Sequence, residues 1–334
     1  MQLSLLYKDV DSIHSPPIAG GVQKRFQAFY RYLLRANKLN NLYSYEDIDK
    51  ISSSEFVVGY NLDNEICRKL GDLNINTCNT YCSGHDQPSE IIFTSNTVSA
   101  RFLSPSHFEL CKNFVDNKRA FTAPHGFNSE EFSSLNSDPK YFIWCSSLAW
   151  GPYAKGLSQF IKMAMKNPSY NFVAYGGSRN NSEKLERDLQ KLDDELNNFQ
   201  FKGNLEDEDK DAAFSKAIAL CQFTLLNESF NVVTLESIFR KVPVLTLPVN
   251  NGGVSDNLGD FNICIEELLV DDQLLAEINK QKNRLNNNEF DFMRFSCETE
   301  YETIKNHFES QKKTKRFTCG NAPWNHYAAF KKHK

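Results

Sequence analysis

The sequence predicts an α/β protein of two domains, each a parallel sheet flanked by helices. Three observations lead there. Short apolar runs alternate with longer amphipathic stretches along most of the chain, the pattern of strand–helix–strand units. The 334 residues suit two domains, at roughly 150 residues each. A polar stretch, Asn128–Lys140, divides the alternation into two series and reads as a linker.

Leu3 to Tyr7 is the first strand, followed by a loop with Pro16-Pro17 and then Gly20-Gly21. Val22, Phe26, Phe29 and Leu33 recur at helical spacing, so 22–36 is an amphipathic helix. Glu55–Tyr60 and Glu90–Ser95 read as further strands, with helical stretches between and after them. The second series starts with the strand Tyr141–Cys145. Lys155-Gly156 opens a helix burying Leu157, Phe160, Ile161 and Ala164, and Pro168 follows its end. Asn171–Tyr175 is a strand stopped by Gly176-Gly177, and 182–197 is a charged helix. Phe201, Gly203 and a helix near 208–219 come next. The acidic run Glu206–Asp209 reads as the solvated start of that helix.

Then comes the most informative stretch. The apolar run Cys221–Leu226 leads into Asn227-Glu228-Ser229-Phe230-Asn231-Val232, a helix containing Glu236, and a second apolar run, Val242–Leu247. This is a βαβ unit with one carboxylate at the strand exit and another inside the helix. Strand exits are where α/β folds place ligands. Helix N-termini around a cleft suit a diphosphate. Gly20-Gly21, ahead of the first helix, lets backbone approach a ligand. The fingerprint GxGxxG is absent, which argues against a dinucleotide site.

Bulk properties narrow the class. Hydrophobic residues make up 40% and charged residues 24%, with formal net charge −4, as in ordinary globular proteins. No apolar run approaches the length of a membrane span, and the N-terminus lacks the pattern of a signal peptide. Nine scattered cysteines with no CxxC indicate a reduced, cytoplasmic setting and no metal site. The tail from Gln311 is basic, with Lys312, Lys313, Lys315, Arg316, Lys331, Lys332 and Lys334, and carries Phe317, Trp324, Tyr327 and Phe330. Two uses fit it: docking back on the first domain by its aromatics, or peripheral contact with an anionic membrane. Nucleic acid is a third partner class, against which the acidic remainder of the chain argues.

Taken in order, these signals resemble the GT-B glycosyltransferases of retaining family 4. The matching motifs are Ala19-Gly20-Gly21-Val22 after the first strand and His125-Gly126-Phe127-Asn128 through Phe132 at the end of the first domain. In the second domain they are Lys155-Gly156, Gly176-Gly177, Phe201-Lys202-Gly203, the E-x7-E pair Glu228/Glu236, Lys241-Val242-Pro243-Val244 and the loop Asn251–Asp256 with Gly252-Gly253. The resemblance implies two Rossmann-like domains facing across a cleft. Residues 1–137 form the acceptor-side domain, 138–310 the nucleotide-sugar-binding domain, and 311–334 a tail crossing back.

The resemblance also implies roles. Glu228 holds hydroxyls of the donor sugar, and Glu236 accepts from the ribose. Backbone N–H groups of Phe230, Asn231 and Val232 take sugar and phosphate oxygens, with Gly20, Gly21 and Gly203 shaping the donor site. Lys155 neutralises the diphosphate leaving group. His85 is the candidate for the first-domain histidine that contacts the donor sugar, with His125 as its competitor. The implied activity is retaining transfer from a nucleotide diphosphate sugar to a saccharide, glycolipid or other hydroxyl acceptor. No cofactor or metal is implied beyond that co-substrate. Two departures stand out. Ser147 occupies the place of a phosphate-binding arginine, for which Arg179 or Lys202 are substitutes, and Glu228-Ser229-Phe230-Asn231 replaces E-G-F-G. The alternatives are a catalytically degenerate nucleotide-sugar-binding subunit and a glycosyltransferase acting on modified DNA bases.

Overall fold

The computed structural model describes residues 1–8, 21–82, 92–132, 138–148, 151–177, 183–226, 228–248 and 252–315. Among them the chain forms two six-stranded sheets in which every pairing is parallel. Parallel sheets need both faces covered, and helices do this in each lobe.

The first lobe has strands β1 (Leu3–Tyr7), β2 (Leu39–Ser44), β3 (Phe56–Tyr60), β4 (Asn76–Tyr81), β5 (Val98–Phe102) and β6 (Ala120–Thr122), in the order β2-β1-β3-β4-β5-β6. Its helices are α1 (Gly21–Arg35), α2 (Asn64–Asp72) and α3 (Pro105–Cys111). Leu3 and Leu5 of β1 pack on Phe26, Phe29 and Leu33 of α1. Leu6 faces the other way, toward Ile48, Val57 and Leu70. This is the two-sided burial that strand alternation demands. Helix starts follow local capping: Asp63 accepts from Ile66 N, and Ser104 accepts from His107 N with Pro105 behind it.

The second lobe has β7 (Tyr141–Cys145), β8 (Asn171–Tyr175), β9 (Phe199–Phe201), β10 (Ala217–Gln222), β11 (Val244–Thr246) and β12 (Asn262–Cys264), in the order β12-β11-β10-β7-β8-β9. Its helices are α4 (Gly151–Ala154), α5 (Leu157–Lys166), α6 (Glu183–Glu195), α7 (Asp207–Ser215), α8 (Val232–Phe239), α9 (Gly252–Leu258) and α10 (Asp272–Asn286). The last helix, α11 (Cys297–Lys315), buries Cys297, Tyr301, Ile304 and Phe308 against Leu3, Phe26 and Phe56 of the first lobe. Residues 297–310, placed with the second domain by sequence, therefore pack on the first. Trp324, Tyr327 and Phe330 lie outside the described residues.

Several elements differ from expectation. Residues 92–95 are irregular, and the strand of that region is β5, a few residues later. β4 was not foreseen because its run, Asn76-Thr77-Cys78-Asn79-Thr80-Tyr81, is polar yet largely buried. Asn79 is accommodated by bonding both the N–H and the carbonyl of Leu62, at 3.0 and 2.9 Å. The apolar run after Cys221 is mostly exit loop, since β10 ends at Gln222. The Gly252-Gly253 loop is the start of α9.

Candidate active site

In the second sheet the chain runs β7, β8, β9 to one side and then returns to place β10 on the other. The carboxyl ends of β7 and β10 thus flank the point where strand order reverses, the place where such sheets leave a crevice. Glu228 sits on the β10 exit. Lys155 arrives between α4 and α5 and forms an ion pair with the Glu228 carboxylate. Both side chains are nearly buried. Thr224 donates to the same carboxylate at 3.3 Å and to the Ala154 carbonyl at 3.1 Å.

Glycine makes this contact feasible. Gly156 has φ +78°, and a Cβ there would sit 2.0 Å from the Phe223 carbonyl oxygen. Only a residue without a side chain lets the Lys155 turn lie against the β10 exit. The Lys155 carbonyl accepts from the buried Trp144 indole at 2.9 Å, which fixes the turn to β7. On the other side of Glu228, Gly253 N donates to its carbonyl at 3.1 Å, and a Cβ on Gly253 would meet that oxygen at 2.1 Å.

The first turn of α8 lies next to this pair. Asn231 caps it by accepting from Thr234 N at 3.3 Å. Phe230 is buried against Phe127, Phe295 and the His125 ring. Val232 meets the start of α1: a Cβ on Gly21 would come within 2.7 Å of its methyl group. The two helix N-termini therefore face one another across the lobes, concentrating partial positive charge between them. Further contacts tie the lobes together. Ser229 Oγ donates to the Cys82 carbonyl at 2.8 Å, and Ser106 N donates to Asp256 at 2.6 Å.

Glu236, one helical turn on from the cap, is buried and bonded by Lys210 Nζ at 2.7 Å. Burial alone would favour its neutral form, but Lys210, Arg25 and Lys24 outweigh this and hold the carboxyl below its ordinary value. It lines a pocket of about 230 Å³ between α1, α7 and α8, with Lys24, Arg25, Arg31, Lys210 and Arg240 among the walls.

Behind the site lies a buried charged cluster. The Glu300 carboxylate of α11 accepts from Arg101 Nη1 at 2.6 Å, from Tyr60 Oη at 2.7 Å and from Gly126 N at 2.7 Å. His125 stacks on Tyr60, and its Nε2 is 3.5 Å from Cys82 Sγ. Burial pushes the His125 pKa down to about 4. Despite burial, Arg101 and His125 hold the Glu300 carboxyl down at about 2.

The structure thus brings Glu228, Lys155, Gly21, Phe230, Asn231 and Val232 together. Gly203 lies on the β9 exit with φ +67°, its carbonyl accepting from Gly176 N at 2.7 Å. Gly20, His85 and Arg179 fall outside the described residues. Ser147 follows β7 at the same crevice, and Lys202 is exposed beside Gly203. Sequence reasoning missed Lys24, Arg25 and Lys210, which sit on helices of ordinary amphipathic appearance. Asp207, read as part of a solvated helix start, is exposed there, and it pairs with both Lys24 and Lys210.

Comparison with known proteins follows from this geometry. Residues 127–292 match the family described as Glycosyl transferases group 1. Among solved structures the chain is similar to Anabaena Alr3699/HepE in complex with UDP, with TM-score 0.62 and 12% identity, covering 93% of this chain and 100% of that one. A glycosyltransferase from Rickettsia africae gives TM-score 0.62 at 13% identity, covering 95% of this chain and 100% of that one. S. aureus TarM gives TM-score 0.57 at 14% identity over 79% of this chain, which spans only 57% of TarM. No curated protein matches by sequence. At such identities the likeness is one of fold: this is the GT-B arrangement of two Rossmann-like domains.

Proposed function

We propose that the protein is a glycosyltransferase using a nucleoside diphosphate sugar, and that it transfers the sugar to a hydroxyl acceptor with retention at the anomeric carbon. The observation that carries this reading is the Lys155–Glu228 pair at the reversal point of the second sheet, beside the N-terminus of α8. In the reaction the bond from the anomeric carbon to phosphate oxygen breaks, and one to the acceptor oxygen forms. The acceptor proton leaves with the diphosphate. Negative charge grows on the leaving oxygen, where the Lys155 ammonium and the α8 dipole stabilise it. Glu228 orients sugar hydroxyls, and Glu236 accepts from the ribose. The match to Glycosyl transferases group 1 supports the reaction class, and the UDP complex of HepE makes UDP-sugars the first donors to try. A saccharide or lipid-linked acceptor and independence from metal complete the reading.

The test is thermal shift with a panel of nucleoside diphosphate sugars, followed by release of the nucleoside diphosphate with and without EDTA. Binding raises the melting temperature. NMR of the product reports its anomeric configuration. Lys155→Ala should slow turnover by about 10²–10³-fold, the scale of losing one stabilising donor. Stabilisation by a donor with no turnover on any acceptor would instead mark a nucleotide-sugar-binding subunit. A panel in which no donor shifts the melting temperature or is consumed sinks the proposal.

A further inference from the structure

Glu236 does not stand alone as a ribose acceptor. Its Oε2 takes Lys210 Nζ at 2.7 Å, and the same ammonium lies 3.3 Å from Asp207 Oδ1. That oxygen also accepts Lys24 Nζ from α1, in the other lobe. Four charges of alternating sign therefore run from α8 through α7 to α1. Lys210 and Glu236 are 7% and 5% exposed. A pair so deep contributes little to folding beyond what an apolar pair would give, because desolvation offsets the attraction. Its use lies elsewhere, and Glu236 and Lys210 both line the pocket between the lobes.

We infer that Lys210 is a positioning residue for nucleotide recognition: by binding one oxygen of Glu236 it orients the carboxylate toward the ribose hydroxyls of the donor. The inference rests on the proposed role of Glu236. Asp207 and Lys24 extend the chain across the cleft, so closure of α1 onto α7 holds Lys210 in place. The sequence alone offers no hint of this, because Lys210 sits among acids in a run that reads as solvated.

The test is calorimetric titration of the full chain with UDP, for the wild type, Lys210→Met, Lys210→Arg, Glu236→Gln and the Lys210→Met/Glu236→Gln double variant. Without Lys210 a buried carboxylate loses its nearest cation and its proton affinity rises. The other groups facing it are Lys24, Arg25 and Arg31 on α1, Asp207 on α7, Arg240 just after α8, Glu131 from the linker and Cys145 on β7. Lys24 and Arg25 keep the rise partial.

Lys210→Met should weaken UDP about tenfold, and its Kd should depend on pH more steeply than that of the wild type, because the carboxyl then takes up a proton more readily. The wild type should show only the dependence that the titrating terminal phosphate of UDP imposes. Lys210→Arg should restore the wild-type profile and affinity within about threefold. The double variant should bind no worse than Glu236→Gln. Folded Lys210→Met with the wild-type Kd and the wild-type pH profile overturns the inference while leaving the functional reading intact. If Lys210→Met fails to fold, loss of UDP affinity in folded Lys210→Arg as large as in Glu236→Gln overturns it as well. A wild type that binds no UDP, GDP, ADP or CDP overturns the functional reading and this inference with it.

Discussion

Replacing Glu300 with Gln keeps the shape of a side chain at the centre of the first lobe and removes its charge. Arg101 and Glu300 are both fully buried as side chains, and their closest atoms are 2.6 Å apart. The substitution leaves a guanidinium in the interior with no counter-ion. Breaking one partner of such a pair costs about 3–5 kcal/mol. The low pKa of the carboxyl points the same way. The carboxyl falls from 4.5 to about 2, and each unit is worth about 1.4 kcal/mol, so the ionised form is favoured by about 3 kcal/mol. The loss expected is therefore about 3 kcal/mol, the lower end of that range. At about 2–4 °C per kcal/mol for domains of this size, the melting temperature should fall by about 6–12 °C. Urea unfolding at neutral pH, followed by near- and far-UV circular dichroism, measures the loss directly. The double variant Arg101→Met/Glu300→Met should recover much of it, because removing both charges leaves no uncompensated ion. A Glu300→Gln protein within about 1 kcal/mol of wild type would refute the reasoning, since no buried unpaired charge is that cheap.

Two further outcomes follow from the same region. His125 and His307 each have a pKa pushed down to about 4 by burial, so between about 6.5 and 4 the unfolded chain binds protons that the folded chain does not. Stability measured by melting temperature should be flat between about pH 7 and 8, fall as pH drops through that window, and fall further from about 4.5 toward 2 as Glu300 protonates; a flat profile down to pH 4 contradicts the burial of the histidines. Gly126→Ala would place a Cβ 2.5 Å from Cys297 Cα, and urea unfolding should show a loss of about 1–3 kcal/mol, the cost of overpacking against backbone that cannot move aside.

β7, β8 and β11 of the second lobe were legible because they are apolar runs, whereas the first half of β10 fell within the helix expected near 208–219 and β12 was not foreseen. For Glu228 and Glu236 the places were legible, one after a strand and one inside the next helix, while their roles rest on the E-x7-E resemblance and stay proposals. β4 was not, because Asn79 and Thr77 look like surface residues until their backbone partners are known. Lys210 was hidden for a related reason. A charged residue on a helix is usually solvated, as the half-exposed Asp207 is, and only the approach of α1 from the other lobe encloses Lys210. The Arg101–Glu300 pair joins β5 to α11, two elements distant in the chain, and no local pattern announces such a contact. Lys155 looked like an exposed helix start, yet the turn at Gly156 carries it into the crevice.

The chain passes between the lobes twice, and the two passages touch. Phe127 and Ser296 form a parallel bridge, with Phe127 N donating to the Phe295 carbonyl at 2.7 Å and Cys297 N to the Phe127 carbonyl at 3.2 Å. Two connections bound side by side act like one pin of a door. Sliding and independent twisting of the lobes are suppressed, and rotation about a single axis remains. The contacts at Gly21 and Val232, Lys24 and Asp207, and Ser106 and Asp256 also join the two lobes. Rotation that opens the cleft would separate them. A substitution that loosens any one of them lowers the cost of swinging the whole cleft open, even when it touches nothing that a ligand would touch.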